Sequence, residues 1–323
     1  MFPLPRLLRK SSQFIINRLF SERKYNIRRA VLYVPGNDER KIKKAVDLDV
    51  DCVILDCEDG VAINRKDEAR NSIYKILSEN QSFGRTERTI RVNSIETGLA
   101  EEDLRVILHS ENLPSTIFFP KIDKLDDIDW IVDNVSKNLT SKKLLNRINI
   151  IIYIENAKGL LSASKICESA VEKLKKTPFV LDGIVFGSDD FCADIGATRT
   201  ENAFELTYAR QHLVVVAKAF GLQIIDMVHI DYKDLDGLKK NCQDGARMGF
   251  TGKQAIHPGQ VKIIQQAFSP SEEKLEWASA LTEAFRNHQQ SGKGAFSFRG
   301  QMIDMPTVLQ AKNILQRDIL SKQ

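Results

Sequence analysis

The sequence predicts an α/β protein: a (β/α)8 barrel of the TIM type with a C-terminal helical extension. Three observations carry this. Eight short β-branched or apolar runs alternate with amphipathic stretches. Polar residues gather where those runs end, as they do on the catalytic rim of a barrel. A length of 323 residues, 42% of them hydrophobic, supplies enough chain for one large core. A doubly wound open sheet is the competing arrangement, but rim residues drawn from so many strands favour closure.

In chain order, strands are expected at 30–34, 52–55, 89–92, 116–119, 148–154, 183–186, 224–230 and 254–256, the last of them weak. Helical periodicity occupies 38–46, 66–78, 125–135, 159–174, 204–220 and 235–248. After Pro270 the pattern changes to a long helix reaching about His288, a Gly-rich turn with Gly292, Gly294 and Gly300, and a last helix from about Thr307. That tail is expected to be too short for a core of its own. The division that follows is a leader over 1–28, a catalytic barrel over 29–269 and an extension with a lid over 270–323.

Residues 1–29 hold eight basic side chains against one acid, Glu22, a net +7; the whole chain is +4, which leaves the remainder at −3. The leader mixes these cations with Phe, Leu, Ile and Ser and lacks the uninterrupted apolar stretch of a secretory signal. This is the composition of an organelle presequence, with Arg18-Leu19-Phe20-Ser21 as a processing site, and it predicts import into the mitochondrial matrix. A mildly acidic body argues against a nucleic-acid partner. No apolar run approaches the ~20 residues that cross a bilayer, which argues against a membrane span. Five scattered cysteines without a CxxC pair fit reduced thiols better than disulfides or zinc.

At or just past the strand ends stand Tyr33, Asp56, Glu58, Asp59, Arg91, Asn93, Lys121, Glu155, Asp189, Asp190 and His257. Glu155 closes the run Ile150-Ile151-Ile152-Tyr153-Ile154, and Asp190 follows the next run. Two carboxylates on consecutive strand ends, with room for water and substrate oxygens, suit Mg²⁺. Asp189 competes with Asp190, since neighbours on a strand face opposite ways. Arg91 lies inside a strand pattern, where its fork of donors suits a substrate carboxylate; an ion pair with Glu58 or Asp59 explains it nearly as well. Arg40 and Lys44, one helical turn apart after the Gly36 turn, suit phosphates or merely a solvated helix face. His257 is either a ligand contact or a satisfied imidazole.

These stretches together resemble the citrate lyase β-subunit-like family of the HpcH/HpaI aldolase superfamily. The resemblance rests on Arg29 to Gly36, Leu55 to Val61, Arg91-Val92-Asn93, Glu155, Phe186 to Phe191 and Gly252 to Pro258. In the extension it rests on Gly292 to Phe296 and Met302 to Pro306. It covers nearly everything after residue 28. It implies a β/α barrel, usually a homotrimer, with Mg²⁺ on Glu155 and Asp190, and it is the ground for choosing Asp190 over Asp189. It further implies CoA-thioester contacts around Tyr33, Arg40, Lys44, Ile256 and His257, with Arg91 at the pyruvate-like end. Asp304 is implied to lie on a lid that acts in a neighbouring subunit's site, and it is the candidate for acid/base work. The implied reaction is cleavage of a short hydroxyacyl-CoA, most readily citramalyl-CoA to acetyl-CoA and pyruvate, with the reverse condensation open to the same site. Malyl-CoA cleavage, malyl-CoA thioester hydrolysis and non-catalytic CoA-thioester binding are the alternatives.

Overall fold

The structure, a computed structural model, describes residues 26–79, 83–139, 147–175, 177–290 and 296–321. The expected leader up to residue 25, its processing site included, and residues 291–295 of the Gly-rich stretch lie outside the described residues.

Residues Arg28–Ser269 form one compact unit. In it β1 (Ala30–Pro35), β2 (Cys52–Asp56), β3 (Glu87–Arg91), β4 (Thr116–Phe119), β5 (Ile148–Ile154), β6 (Phe179–Phe186), β7 (Gln223–Asp226) and β8 (Gly252–Ala255) close into a barrel. Every neighbouring pair is parallel, and β8 returns to β1 through Ala30 opposite Lys253. The helices between them are α1 (Glu39–Val46), α2 (Lys66–Ser78), α3 (Ala100–Ile107), α4 (Leu125–Leu139), α5 (Ala157–Leu174), α6 (Ser188–Ile195), α7 (Thr207–Ala219) and α8 (Leu235–Met248). A further helix, α9 (Val261–Phe268), follows β8.

Strand alternation sorts the side chains into two packings. Val31, Cys52, Ile54, Phe118, Ile151, Tyr153, Val185 and Ile225, with Tyr33 against them, fill the barrel interior. Alternate residues such as Leu32, Val53, Ile150, Ile152 and Ile184 join the layer under the helices. The expected helices at 66–78 and 235–248 match α2 and α8 to the residue, whereas α3, α6 and α9 were not anticipated. The expected strand 224–230 ends at Asp226, because the Asp226 carbonyl accepts from Gln254 Nε2 and the Val228 carbonyl from Arg199.

The expected leader includes Arg28, but this residue is 1% exposed in the barrel. Its guanidinium reaches Glu87 Oε2 and Asp182 Oδ2, both at 2.5 Å, and donates to Thr116 Oγ1 at 3.0 Å. Asp182 is available because the β5–β6 register passes from Leu181 to Gly183, and a bulge of this kind re-aims the side chain it skips. Four elements are thereby tied together at the amino-terminal ends of the strands.

The described residues from Pro270 belong to a second unit. It contains α10 (Glu272–Gln290), an antiparallel hairpin of β9 (Phe296–Phe298) and β10 (Gln301–Ile303), and α11 (Met305–Ser321). Here the expectation of no separate core is corrected: Ala278, Leu281, Phe296, Ile303, Val308 and Ala311 form a cluster of their own. Two helices and a hairpin give such a short tail enough apolar faces to cover one another. Arg299 and Gly300, at φ 49° and 79°, make the two-residue turn that suits a twisted hairpin.

Candidate active site

The carboxyl-terminal ends of the strands collect the charged residues. Arg91, the last residue of β3, is buried and grips Asp56 at the end of β2 with both prongs, Nε to Oδ1 and Nη2 to Oδ2, each 2.7 Å. Its remaining nitrogen, Nη1, lies 2.6 Å from Glu58 and 3.9 Å from Asp59. The guanidinium stacks over Tyr33, 4.8 Å from the ring centroid. The ion pair with Glu58 that the sequence offered as an alternative is therefore present. The bidentate partner, however, is Asp56. Burial alone would raise the Asp56 pKa, but Arg91 and the amides of Glu58 and Gly60 outweigh it and hold the carboxyl below its usual range.

Glu155 follows β5 and is 5% exposed. Its Oε2 accepts the Lys121 amide at 2.9 Å. A Cβ at Gly187 would collide with Glu155 Oε1, so only glycine lets the chain after β6 pass this close. Burial, then the charges of Glu58 and Asp190, push the Glu155 pKa up to about 8, against the opposing pull of Arg91 and Lys121.

Asp190 requires a correction. The sequence pattern suggests strand at Asp189-Asp190, but both lie in the first turn of α6. What separates them is the helical rotation: Asp189 lies 3.5 Å from Arg199, while Asp190 feels first the charges of Lys121, Asp59 and Arg91, and then that of Asp189. Burial comes first among the causes that raise its pKa.

In the sequence Lys121 stands at the rim with no role assigned by its pattern. It stands between the carboxylates, with Nζ 3.1 Å from Glu58 Oε1 and 4.0 Å from Asp59. Its φ is 55°, a left-handed conformation that costs a non-glycine residue roughly 1–3 kcal/mol and tends to persist at functional sites. Both Glu58 oxygens are buried and paired by distance with Arg91 and Lys121, yet neither accepts an aligned hydrogen bond.

The crowded acids fit a small dication. Burial and mutual repulsion raise the pKa values of Glu58, Glu155 and Asp190, and a bound cation would relieve that repulsion. Mg²⁺ is commonly held by one or two carboxylates plus water and substrate oxygens, which is the donor set that Glu155 and Asp190 offer. Among the described residues, no group of three or more His, Cys, Asp or Glu is placed to hold a metal alone.

The residues assigned to CoA come from adjoining strands. Tyr33 on β1 donates to Gln254 Oε1 on β8 at 2.8 Å and shares a 2.5 Å contact with the Tyr153 hydroxyl. Ile256 and His257 follow β8 and are exposed; His257 stacks on Tyr232 with ring centroids 4.8 Å apart, and its Nδ1 accepts from the Gly259 amide. Arg40 and Lys44 are exposed on α1, the helix entered through the Gly36 turn from β1. Tyr153 was missed. Its place near the end of β5, two residues before Glu155, was the available signal.

Asp304 lies in the second unit, exposed, and accepts from the Thr307 amide at 3.0 Å and hydroxyl at 2.7 Å. Those two donors hold its carboxyl below the usual range and cap the start of α11.

A family profile described as HpcH/HpaI aldolase/citrate lyase matches residues 29–258. The human protein named citramalyl-CoA lyase, mitochondrial, is 52% identical over 293 residues, 91% of this chain and 86% of its own. A Cereibacter sphaeroides (3S)-malyl-CoA thioesterase is 30% identical over 289 residues, 90% of this chain and 94% of its own. Among solved structures, protein CitE from Mycobacterium tuberculosis, in complex with magnesium, acetoacetate and coenzyme A, aligns with a TM-score of 0.70 and 27% identity, over 91% of this chain and 99% of its own.

Proposed function

The chain belongs to the HpcH/HpaI aldolase/citrate lyase family, and we propose that this acyl-CoA lyase is Mg²⁺-dependent and cleaves (S)-citramalyl-CoA to acetyl-CoA and pyruvate. The observation that carries the proposal is the placement of Glu155, just after β5, and Asp190, in the first turn of α6 just after β6, where each carboxylate feels the charge of Arg91 and Glu155 that of Asp190.

In this reading Glu155 and Asp190 hold the cation, which when bound lowers the pKa of the substrate's tertiary hydroxyl and polarises the forming carbonyl. Arg91, fixed by Asp56, presents Nη1 to the substrate carboxylate. Tyr33 and the Ile256-His257 pair line the thioester end, and Arg40 and Lys44 meet the CoA phosphates. Asp304 takes the hydroxyl proton as the carbon–carbon bond breaks toward the acetyl-CoA side. It then returns that proton to the enolate carbon, so the cycle closes without a co-reactant. Run backwards, the site condenses acetyl-CoA with pyruvate.

We assign Asp304 to a neighbouring subunit's site in a homotrimer, and the leader to import into the mitochondrial matrix. The basic composition of that leader and the relatives named as mitochondrial support the second assignment. Metal dependence is tested by chelation: activity should vanish, return with Mg²⁺, and stay absent in Glu155→Gln even in excess metal. Full turnover in chelator contradicts the proposal.

A further inference from the structure

We propose that Lys121 is a positioning residue that reserves Glu155 and Asp190 for the cation: its amide orients Glu155, and its ammonium keeps Glu58 and Asp59 out of the metal's coordination shell. The inference rests on the metal reading of Glu155 and Asp190 and goes beyond it, to a residue that touches neither substrate nor metal.

Three observations converge on this residue. The Lys121 amide donates to Glu155 Oε2 at 2.9 Å, so backbone rather than side chain fixes that carboxylate. The ammonium stands 3.1 Å from Glu58 and 4.0 Å from Asp59, the other acids of the cluster. The backbone is left-handed, at φ 55°, where glycine would be unstrained. Glycine would supply the amide equally well, so the side chain must earn the strain. Four acids, Glu58, Asp59, Glu155 and Asp190, face Arg91 and Lys121, and Arg91 is already committed to Asp56 through two of its three nitrogens. Without a second fixed cation, Glu58 and Asp59 compete for the metal, and Glu58, already 2.6 Å from the Arg91 prong that the substrate carboxylate needs, has only that prong left to pair with.

Loss of the Lys121 charge should move metal binding and catalysis in opposite directions. Removing a cation beside a metal site should strengthen metal binding, while releasing the two extra acids should spoil the geometry for turnover. A merely structural brace would weaken both. The test uses the purified full chain and Mn²⁺ as the probe, with binding read by electron paramagnetic resonance and kcat, KM and Tm measured in parallel. Lys121→Gly keeps the amide, Lys121→Met removes only the charge, and Lys121→Arg restores a cation. Glycine and methionine should each bind Mn²⁺ about three- to tenfold more tightly, an effect expected for one unit charge in a partly solvated site. Their kcat/KM should fall about tenfold or more. Glycine should keep the wild-type Tm or exceed it, and arginine should recover part of the turnover. Unchanged binding and turnover overturn the proposal, as does weaker Mn²⁺ binding together with a lower Tm in both neutral variants. If wild type binds no Mn²⁺, or Glu155→Gln binds it equally well, the metal reading itself has failed. That result is visible without any Lys121 variant.

Discussion

Arg91 and Asp56 form a two-pronged pair across β2 and β3, with Nε to Oδ1 and Nη2 to Oδ2 both at 2.7 Å. The geometry divides one guanidinium between two tasks: two nitrogens brace neighbouring strands, and the third, Nη1, faces the acids of the site. Substitutions here should therefore report on stability and on catalysis together, in proportions that depend on which side is changed.

Asp56→Asn leaves Arg91 with half of its fork unmatched in a buried position, which should cost about 3 kcal/mol of stability. Urea unfolding of the metal-free protein measures this. Arg91→Lys keeps the charge but not the planar fork, and should lower kcat/KM more than it lowers the urea midpoint. Unfolding of Arg91→Lys with no catalytic assay possible would make the brace the dominant role.

The same pair sets an acid limit. The folded-state pKa of Asp56 lies below its unfolded value, so its contribution is fully present above the unfolded pKa, about 3.9, and is lost as pH falls through the folded one. The stability gap between wild type and Asp56→Asn should be constant above about pH 5 and narrow below about pH 4. A gap that persists unchanged into strong acid would mean that the carboxylate charge is irrelevant to the pair.

Arg28 makes a prediction about where a leader can end. A chain starting at Asn26 should unfold at the same urea concentration as full-length protein, whereas Arg28→Ala should lose about 3–5 kcal/mol, because Asp182 and Glu87 surrender a buried cation. A mature amino terminus downstream of Arg28 in organelle-derived protein would contradict this role.

The shared-site assignment of Asp304 is tested by complementation. Glu155→Ala and Asp304→Ala chains, each inactive alone, should regain roughly a quarter of wild-type activity after dissociation and equal reassembly into cyclic trimers. Proven subunit exchange without regained activity would place Asp304 in its own chain's site or outside catalysis.

Alternation of apolar runs and amphipathic stretches was enough to read the closed barrel from the sequence, because each strand of a parallel barrel is buried on both faces. Boundaries were legible where caps or composition change sharply, as at Lys66 and Met248, and illegible at β6, whose first residues 179–182 include the skipped Asp182. The rim residues were visible as charges at strand ends. Their pairing was not: nothing in one sequence says that Arg91 prefers Asp56, or that Lys121 adopts φ 55° to lend its amide to Glu155. The small core of the second unit was missed for a related reason, since Phe296 and Ile303 become neighbours only through a hairpin.

The most direct test is product analysis of the purified protein given (S)-citramalyl-CoA. With Mg²⁺ present, acetyl-CoA and pyruvate should appear in equal amounts, cease with chelator and resume when metal is restored. Free CoA released alongside intact citramalate, or undiminished cleavage in chelator, would contradict the account.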